Sequence, residues 1–362
     1  MLNRSRYEAL GLADIHDAVL AGDRLSAEDG LRLFACPDPL AVGALAHHRR
    51  TALNGDKAYY VVNQQINYTN VCVNGCLFCA YQRKEGESGG FKLSVADVMA
   101  KIEANPCASR EIHIVGGCHP KLPLSFFEEM LGAIRGRLPE TILKCFTAVE
   151  IQHFADLESI STAEVLTRLK AAGLNMLPGG GAEIFAPNVR ERICPNKISG
   201  QRWLEIHEEA HGLGIGTNST MLFGHLESEA DRVEHMLKLR EVQDRTNGFS
   251  VFIPLPFLTE NSQLKIEKPL TGMDELKTIA VSRLLLDNIA HIKAYWVMLG
   301  IKQAQIALYF GADDFDGTVV EEKIGHEAGA TSSQGLTRAE LEEMIRGCGF
   351  TPVERDSFFR AV

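Results

Sequence analysis

Three cysteines, Cys72, Cys76 and Cys79, lie within eight residues of the stretch INYTNVCVNGCLFCAYQR (residues 66–83). Their C-x3-C-x2-C spacing allows three thiolates to converge on one metal centre. An iron–sulfur cubane is normally held by four thiolates from cysteine-rich runs of this kind. Because only three cysteines lie here, a cluster bound by them would keep one iron open to a small ligand. The spacing therefore favours a cluster with one exchangeable position.

Structural zinc is the alternative for these thiols. Zinc closes its tetrahedron with four protein ligands, usually from two paired units, and no second Cys or His pair lies near residues 66–83. A separate zinc candidate is the H-E-x-x-H pattern from His207 to His211, the signature of zinc peptidases. The helix that carries it falls between the fourth and fifth predicted strands, on the outer ring of a barrel, which favours a polar outer face. A zinc-binding structural protein or peptidase stays open as an alternative.

The cysteine motif, with the aromatic Phe78 before its last cysteine, resembles that of the radical S-adenosylmethionine (SAM) superfamily. The resemblance implies a [4Fe-4S] cluster on Cys72, Cys76 and Cys79, whose open iron chelates the amino and carboxylate groups of SAM. It implies that an electron from the reduced cluster cleaves SAM to methionine and a 5′-deoxyadenosyl radical. It also implies a reducing electron donor of the flavodoxin or ferredoxin type.

Gly116, Gly117 and Cys118 follow the second predicted strand. Radical SAM proteins often carry GGE at this point, where the backbone recognises the amino group of SAM. Cys118 stands in place of the glutamate, which leaves the backbone role and removes the side-chain role. A tight turn that needs glycine is the structural interpretation of the same residues. Cys118 is disfavoured as a fourth cluster ligand, because it would block the open iron.

A glycine-rich loop, GGGAE, occupies residues 179–183. No Lys-Ser/Thr follows it, so it is not a P-loop. The preferred interpretation is a close approach of the backbone to the nucleoside, with Glu183 accepting hydrogen bonds from a ribose diol. A solvated acid is the alternative for Glu183. The residues predicted to bind SAM are Phe78, Gly116, Gly117, Thr147 and Glu183.

Eight β-rich runs alternate with amphipathic helices, which predicts a parallel (β/α)8 TIM-type barrel of the α/β class. Helical patterns in residues 1–55 predict an N-terminal helical layer, and residues 56–362 form the predicted barrel with a C-terminal lid (residues 315–335) and tail. Only a few residues separate the seventh and eighth runs, which predicts irregular closure. The runs are residues 59–67, 111–117, 142–150, 174–180, 215–224, 249–257, 291–300 and 304–314.

Polar side chains follow several of these predicted strands, where barrel enzymes carry their chemistry. Asn67, His119, Asn218 and His225 are the predicted donors to a substrate, with structural hydrogen bonds at strand ends as the alternative. Three aspartates at positions 313, 314 and 316 follow the eighth predicted strand. They allow a Mg²⁺ site, a solvated acidic turn or a contact with a substrate hydroxyl.

The bulk composition excludes several classes of function. The chain has 362 residues and a net charge of −10, which argues against nucleic acid or an anionic membrane as the main partner. No signal-peptide core and no apolar run of membrane-spanning length is evident. Nine cysteines without secretory context indicate reduced thiols, and the lone ones, including Cys107, are expected to be small buried side chains. These features predict a cytoplasmic protein.

Resemblance to one group of radical SAM enzymes extends from about Tyr59 to the C-terminus. Five segments are similar to the aminofutalosine synthases of menaquinone biosynthesis: GGCHPKLP, KCFTAVEI, LPGGGAEIF, ERICPNK and TMLFGHLES. HIKAYWVMLG and EEKIGHEAGA fit the wider group, which includes dehypoxanthine futalosine cyclase and the FO synthase subunits. The segment FTAVEI favours the synthase over the cyclase.

The synthase resemblance implies a specific reaction. The adenosyl radical adds to the vinyl ether carbon of 3-[(1-carboxyvinyl)oxy]benzoate, and the adduct rearranges, loses its carboxyl carbon and is oxidised to 6-amino-6-deoxyfutalosine. SAM is then a co-substrate that is consumed. A cyclase would instead abstract hydrogen and release 5′-deoxyadenosine.

Overall fold

The computed structural model describes residues 3–105 and 110–362. Cys107 lies outside these residues. Within them, no helix is both long enough and apolar enough to cross a membrane.

The described strands are all short, and most are buried. Their bounds are β1 Lys57–Val61, β2 Asn63–Asn67, β3 Glu111–Val115, β4 Ile142–Cys145, β5 Met176–Leu177, β6 Gly216–Phe223, β7 Phe249–Pro256, β8 His291–Ile292, β9 Asp314–Gly317 and β10 Thr351–Glu354.

Seven of these strands form one curled parallel sheet in chain order from β2 to β8. A three-stranded parallel sheet has the order β10-β1-β9, and Val62 alone separates β1 from β2. Single bridges join Asp314 to Lys293 and Val320 to Gln64, so the chain around β9 spans the gap between β8 and β2. The predicted parallel α/β barrel fold is confirmed, and isolated bridges rather than a full ladder carry its closure.

Helices connect the strands and surround the sheet. Their bounds are α1 Arg4–Ala9, α2 Ala13–Ala21, α3 Ala27–Ala35, α4 Pro39–Asn54, α5 Val95–Ala104, α6 Leu124–Arg137, α7 Ala148–Glu158, α8 Thr162–Ala172, α9 Pro187–Ile193, α10 Gly200–Gly212, α11 Glu229–Thr246, α12 Gly272–Leu285, α13 Trp296–Leu299, α14 Ile301–Ala307, α15 Ile324–Ala328 and α16 Arg338–Gly347. A 3-10 helix, Leu308–Phe310, follows α14.

The N-terminal helices pack on the outer helices α11 and α12. Arg24 binds Asp244 at 2.6 Å and Asp287 at 2.9 Å. From α12, the Lys277 ammonium donates to the backbone carbonyls of Phe34 and Cys36. These contacts fasten the N-terminal helical layer to the outer helices of the barrel.

The predicted eighth strand, residues 304–314, is wrong. This segment is helix α14 followed by the 3-10 helix, because Ala304, Ala307 and Leu308 are buried at helical spacing. The strand that closes the barrel is β9, whose sequence is DFDG. Because this strand contains acidic residues, its sequence lacks the alternation of apolar and polar residues that indicates a strand. The connection between the seventh and eighth strands is therefore an ordinary helical crossover.

The third predicted strand, residues 142–150, is shorter than expected. Strand β4 ends at Cys145, and Thr147 caps helix α7 through a reciprocal pair of hydrogen bonds with Glu150. This capping box satisfies backbone N–H groups that the first helical turn leaves open. Thr147 and Glu150 therefore lie at a helix N-terminus above the sheet, and not at the end of the strand itself.

The H-E-x-x-H helix is not a polar outer face. His207 is fully buried, and its ring stacks on Trp203 at 3.7 Å between centroids. Both ring nitrogens of His211 lie within hydrogen-bond distance of threonine hydroxyls. Glu208 pairs with Arg245 on the surface. The two histidines are packing residues between helix α10 and the sheet, and the peptidase interpretation is wrong.

Candidate active site

A cavity of about 340 Å³ lies inside the barrel. At the C-terminal ends of the strands it is lined by Cys72, Cys76 and Cys79. Deeper in the barrel it is lined by side chains from the middle of the strands, including His113 and Lys144. The cavity therefore joins the cysteine loop to the barrel interior, as expected for a site at the mouth of a parallel barrel.

The cysteine loop, residues 66–83, is held in place by backbone hydrogen bonds both within the loop and to other segments. Cys72 N–H donates to Arg83, Val73 N–H to Cys118, and Leu77 N–H to Ile193, at 2.9–3.1 Å. All three cysteines are free thiols, and Cys76 is only 4% exposed. In the described part of the chain, no three Cys, His, Asp or Glu side chains are placed to share a single metal ion. A cubane does not require such a group, because each thiolate binds its own iron.

The environment of the thiols is asymmetric. A hydrogen bond from the Cys118 thiol lowers the pKa of Cys72, whereas burial raises the pKa of Cys76 to about 12. The Lys197 ammonium opposes the effect on Cys76, because a nearby positive charge favours the thiolate. Thiolates are the form that binds iron. The loop thus presents three free thiols to one cavity beside a cation, which fits a cluster of this type.

The five residues predicted to bind SAM, Phe78, Gly116, Gly117, Thr147 and Glu183, all line the same cavity. Glu183 is not a solvated acid, because it is 9% exposed and pairs with Lys197 at 2.6 Å. The Lys197 ammonium also lies 5.2 Å from the centroid of the Phe78 ring. The structure thus brings the predicted set together and adds Lys197 to it.

Glu150 joins two of the loops that line the cavity. Its buried carboxylate accepts hydrogen bonds from the N–H of Gly116 (3.0 Å), the hydroxyl of Tyr68 (2.8 Å), and both the N–H and the hydroxyl of Thr147. Burial raises the pKa of Glu150 to about 7, and these donors oppose that rise. Glu150 therefore fixes the glycine turn after β3 relative to the N-terminus of α7.

Comparison with known proteins places this arrangement in a family. A model of the radical SAM superfamily matches residues 66–239, and a model of the CofH/MqnC C-terminal region matches residues 246–361. The aminodeoxyfutalosine synthase of Thermus thermophilus is 44% identical over 97% of this chain and 96% of its own. The chain belongs to the radical SAM superfamily. It is therefore an enzyme of a family whose members use SAM and a [4Fe-4S] cluster.

Other relatives of this radical SAM enzyme carry different names. The 5-amino-6-(D-ribitylamino)uracil–L-tyrosine 4-hydroxyphenyl transferase of Methanoculleus marisnigri is 41% identical over 93% of this chain and 94% of its own. The cyclic dehypoxanthine futalosine synthase of Streptomyces coelicolor is 38% identical over 96% of this chain and 88% of its own. Among solved structures, methylornithine synthase (PylB) matches with a TM-score of 0.73 at 16% identity, over 93% of this chain and 96% of its own. This last likeness concerns the fold alone.

Four residues were predicted to donate hydrogen bonds to the substrate of this radical SAM enzyme, and not all of them line the cavity. Asn218, which is 4% exposed, lines it. Asn67, His119 and His225 are not among its described lining residues. Asn67 donates to a backbone carbonyl of β3, and the rings of the two histidines bind backbone groups of their own turns. The geometry supports Asn218 as the member of this set that can contact a ligand in the cavity.

Several polar lining residues were missed by the sequence analysis. Some lie in the middle of strands, and the others lie in the cysteine stretch, in the segments that follow α9 and β8, and in the lid segment. The sequence offered one signal for such residues: a charged residue or a polar aromatic residue inside an otherwise apolar strand. A buried polar group of this kind usually has a hydrogen-bonding partner across the barrel. The missed residues are Gln65, Tyr81, His113, Lys144, Lys197, Lys293, Tyr295 and Glu322.

The three aspartates around β9 are neither a solvated turn nor a cluster around one ion site. All three are buried, and each pairs with a different cation: Asp313 with Arg283, Asp314 with Arg355, and Asp316 with Lys293. Buried carboxylates need such partners. Asp316 lines the cavity, whereas the other two fasten the strand that closes the barrel.

The predicted lid segment, residues 315–335, contributes one wall of the cavity through β9 and helix α15. His326 holds this wall together. Its Nδ1 lies 3.0 Å from the buried carboxylate of Glu322, and its Nε2 lies 3.2 Å from the backbone carbonyls of Ser332 and Ser333. Since every one of these partners is an acceptor, both ring nitrogens donate and the imidazole is protonated.

This contact predicts a pH-dependent stability. The Glu322 carboxylate raises the pKa of His326 from 6.5 to about 9. A folded-state pKa above the unfolded value stabilises the fold fully below about pH 6.5, and the stabilisation is lost as the pH rises through 9. Between pH 6.5 and 9.5 we therefore expect the Tm of the wild type to fall by a few degrees more than that of His326→Gln, measured by differential scanning fluorimetry. Parallel curves for the two proteins would contradict a protonated His326.

Proposed function

We propose that this radical SAM enzyme adds the 5′-deoxyadenosyl radical of SAM to the vinyl ether carbon of 3-[(1-carboxyvinyl)oxy]benzoate and so forms 6-amino-6-deoxyfutalosine for menaquinone biosynthesis. The observation that carries the proposal is the 44% identity over nearly the full chain to a relative named aminodeoxyfutalosine synthase. The relatives with other names reach 41% and 38%.

Cys72, Cys76 and Cys79 are the proposed ligands of the cluster, which leaves its fourth iron for SAM. When bound, the reduced cluster supplies the electron that cleaves SAM, and a protein of the flavodoxin or ferredoxin type is the proposed electron donor. Cys118 lies against Cys72, and its thiol donates a hydrogen bond to that residue. In this arrangement Cys118 would be a neighbour of a cluster ligand and not a ligand itself.

SAM is oriented by the residues around the glycine turns. Gly116 and Gly117 present their backbone beside the cysteine loop, and Glu150 holds that turn in position. Glu183 is placed to accept hydrogen bonds from a ribose, with Lys197 balancing its charge. Fixing the reacting carbon in this way is how an enzyme gains effective molarities of about 10⁵ M or more.

The acceptor would lie on the barrel side of SAM. There the cavity wall is largely apolar, with Val149, Ile253, Leu255, Phe257 and Met298 among its lining residues. Such a wall suits an aromatic ring and keeps water away from a reactive radical. Asn218 supplies a polar contact on the same wall.

The test is an anaerobic incubation of the reconstituted enzyme with SAM, a chemical reductant and 3-[(1-carboxyvinyl)oxy]benzoate, followed by mass spectrometry of the nucleoside products. We expect 6-amino-6-deoxyfutalosine and no accumulation of free 5′-deoxyadenosine. An enzyme that reacts only with dehypoxanthine futalosine and releases 5′-deoxyadenosine would be a cyclase. One that reacts only with L-tyrosine and 5-amino-6-(D-ribitylamino)uracil would belong with the hydroxyphenyl transferases.

A further inference from the structure

The inner end of the cavity is formed by polar side chains on neighbouring strands. Gln65, His113 and Lys144 stand side by side on β2, β3 and β4, because their Cα atoms are paired in the strand register. Lys293, which directly follows β8, and Asp316, from the closing strand β9, complete this inner end. We call these five residues the barrel floor.

Lys144 and Lys293 carry the positive charge of the floor. Each is almost fully buried and paired with a carboxylate, Lys144 with Glu111 at 2.6 Å and Lys293 with Asp316. Glu111 also accepts a hydrogen bond from the Ser357 hydroxyl at 2.6 Å. An ammonium has three N–H donors, and each ion pair uses one of them. Both lysines can therefore donate to a further acceptor in the cavity without leaving their carboxylates.

His113 stands next to Lys144 and is not fully satisfied by the protein. Its Nε2 has no hydrogen-bond partner among the described residues. Burial and the nearby Lys144 lower the pKa of His113 to about 3, so the imidazole is neutral and keeps one N–H donor. Unpartnered polar atoms inside a protein are uncommon and call for a ligand or water. With the amide of Gln65 and the ammonium groups of Lys144 and Lys293, the floor offers more hydrogen-bond donors than acceptors.

The position of the floor relates it to the acceptor substrate. The cysteine loop lies at the C-terminal ends of the strands, the floor lies in their middle, and one cavity with a partly apolar lining joins the two. A radical carbon generated beside the cysteine loop must meet the reacting carbon of the acceptor near that loop. The opposite end of an aromatic acceptor then reaches the floor.

We propose that the barrel floor, through His113 and Lys144, binds the ring carboxylate of an aromatic acid acceptor and so determines the enzyme's preference for a carboxylated ring. This inference rests on the proposed function for the reaction at the other end of the acceptor. The binding of the carboxylate itself can be measured without turnover.

The test compares two acceptors with the reconstituted enzyme: 3-[(1-carboxyvinyl)oxy]benzoate and 2-phenoxyacrylate, which lacks the ring carboxylate. We expect the wild type to favour the first by a ratio of kcat/KM on the order of 10 to 100, the usual worth of hydrogen bonds to a charged group. In His113→Leu the ratio falls about tenfold or more, and His113→Gln, which keeps a donor, recovers part of it. A ratio that is unchanged in His113→Leu overturns the proposal.

The role of Lys144 is tested with a double variant, because removing its ammonium alone leaves the Glu111 carboxylate buried without its cation. The double variant Lys144→Met with Glu111→Gln avoids this, and we expect it to lower the same ratio about tenfold or more. The matched control is His207→Leu, which removes another buried histidine outside the cavity and should leave the ratio unchanged. An equal fall in His207→Leu would show that the ratio reports general damage, and would overturn the assignment.

Binding without turnover separates this proposal from the proposed function. Calorimetry of the reconstituted enzyme with 3-hydroxybenzoate and with phenol should show tighter binding of the carboxylate, by about tenfold or more, and His113→Leu should remove the difference. If this contrast holds while neither acrylate reacts, the reaction is wrong and the carboxylate site stands. Equal binding of the two phenols overturns the site.

Discussion

Replacing Cys76 by alanine is expected to leave a colourless protein that does not cleave SAM. Each of the three proposed cluster ligands binds a different iron, so two remaining thiolates cannot hold the cubane with one iron open. Without the cluster, no side chain described in the cavity can supply the electron for SAM cleavage. The rate should fall by at least about six orders of magnitude, the lower end of enzymatic rate enhancements.

The measurements are iron and sulfide content per chain after anaerobic reconstitution, the visible absorption of the cluster, and 5′-deoxyadenosyl products from SAM. Cys348→Ala is the control, because Cys348 is a free thiol at the end of helix α16 and outside the cavity. The control should match the wild type in all three measurements. A Cys76→Ala protein that keeps full iron and activity would contradict the ligand assignment.

The sequence predicted the part of the fold in which apolar patterns are regular. Strands β3, β6 and β7 lie within their predicted ranges because their buried residues are apolar over several positions. Strand β9 was missed because its charged residues are neutralised by Arg355 and Lys293 from distant parts of the chain. Local patterns cannot show that pairing, so a polar barrel strand looked like a loop.

The same limit applies to the site. The three cysteines lie within eight residues of one another, and their spacing was sufficient to find them. Lys197 and His113 were not found, since their roles depend on neighbours far along the chain, Phe78 for one and Lys144 for the other. His119 and His225 were nominated for their residue type at strand ends, and both rings bind local backbone instead. Residue type alone did not indicate which way a side chain points.

Gly117→Ala is expected to disrupt the site without removing any functional group. A Cβ at this position would lie 2.8 Å from the carbonyl carbon of Val71 and 3.0 Å from the Cβ of Cys72, and it would also contact the Val71 oxygen. These atoms belong to the backbone and first side-chain carbon of the cysteine loop, so the loop itself must move. Overpacking of this kind costs about 1–3 kcal/mol, and a displacement of about 1 Å can lower the rate of the reaction by about 10²-fold.

Gly132→Ala is the matched control for this steric effect. Gly132 is exposed in helix α6, and a Cβ there meets no described atom within 4 Å. Alanine in a helix interior should stabilise the protein by about 0.5–1 kcal/mol relative to glycine, measured by urea denaturation, with unchanged cluster content and SAM cleavage. Gly117→Ala should instead lose stability, cluster content and SAM cleavage together. Equal behaviour of the two variants would mean that the cysteine loop tolerates the shift, and that the close approach of Gly117 does not position the cluster ligands.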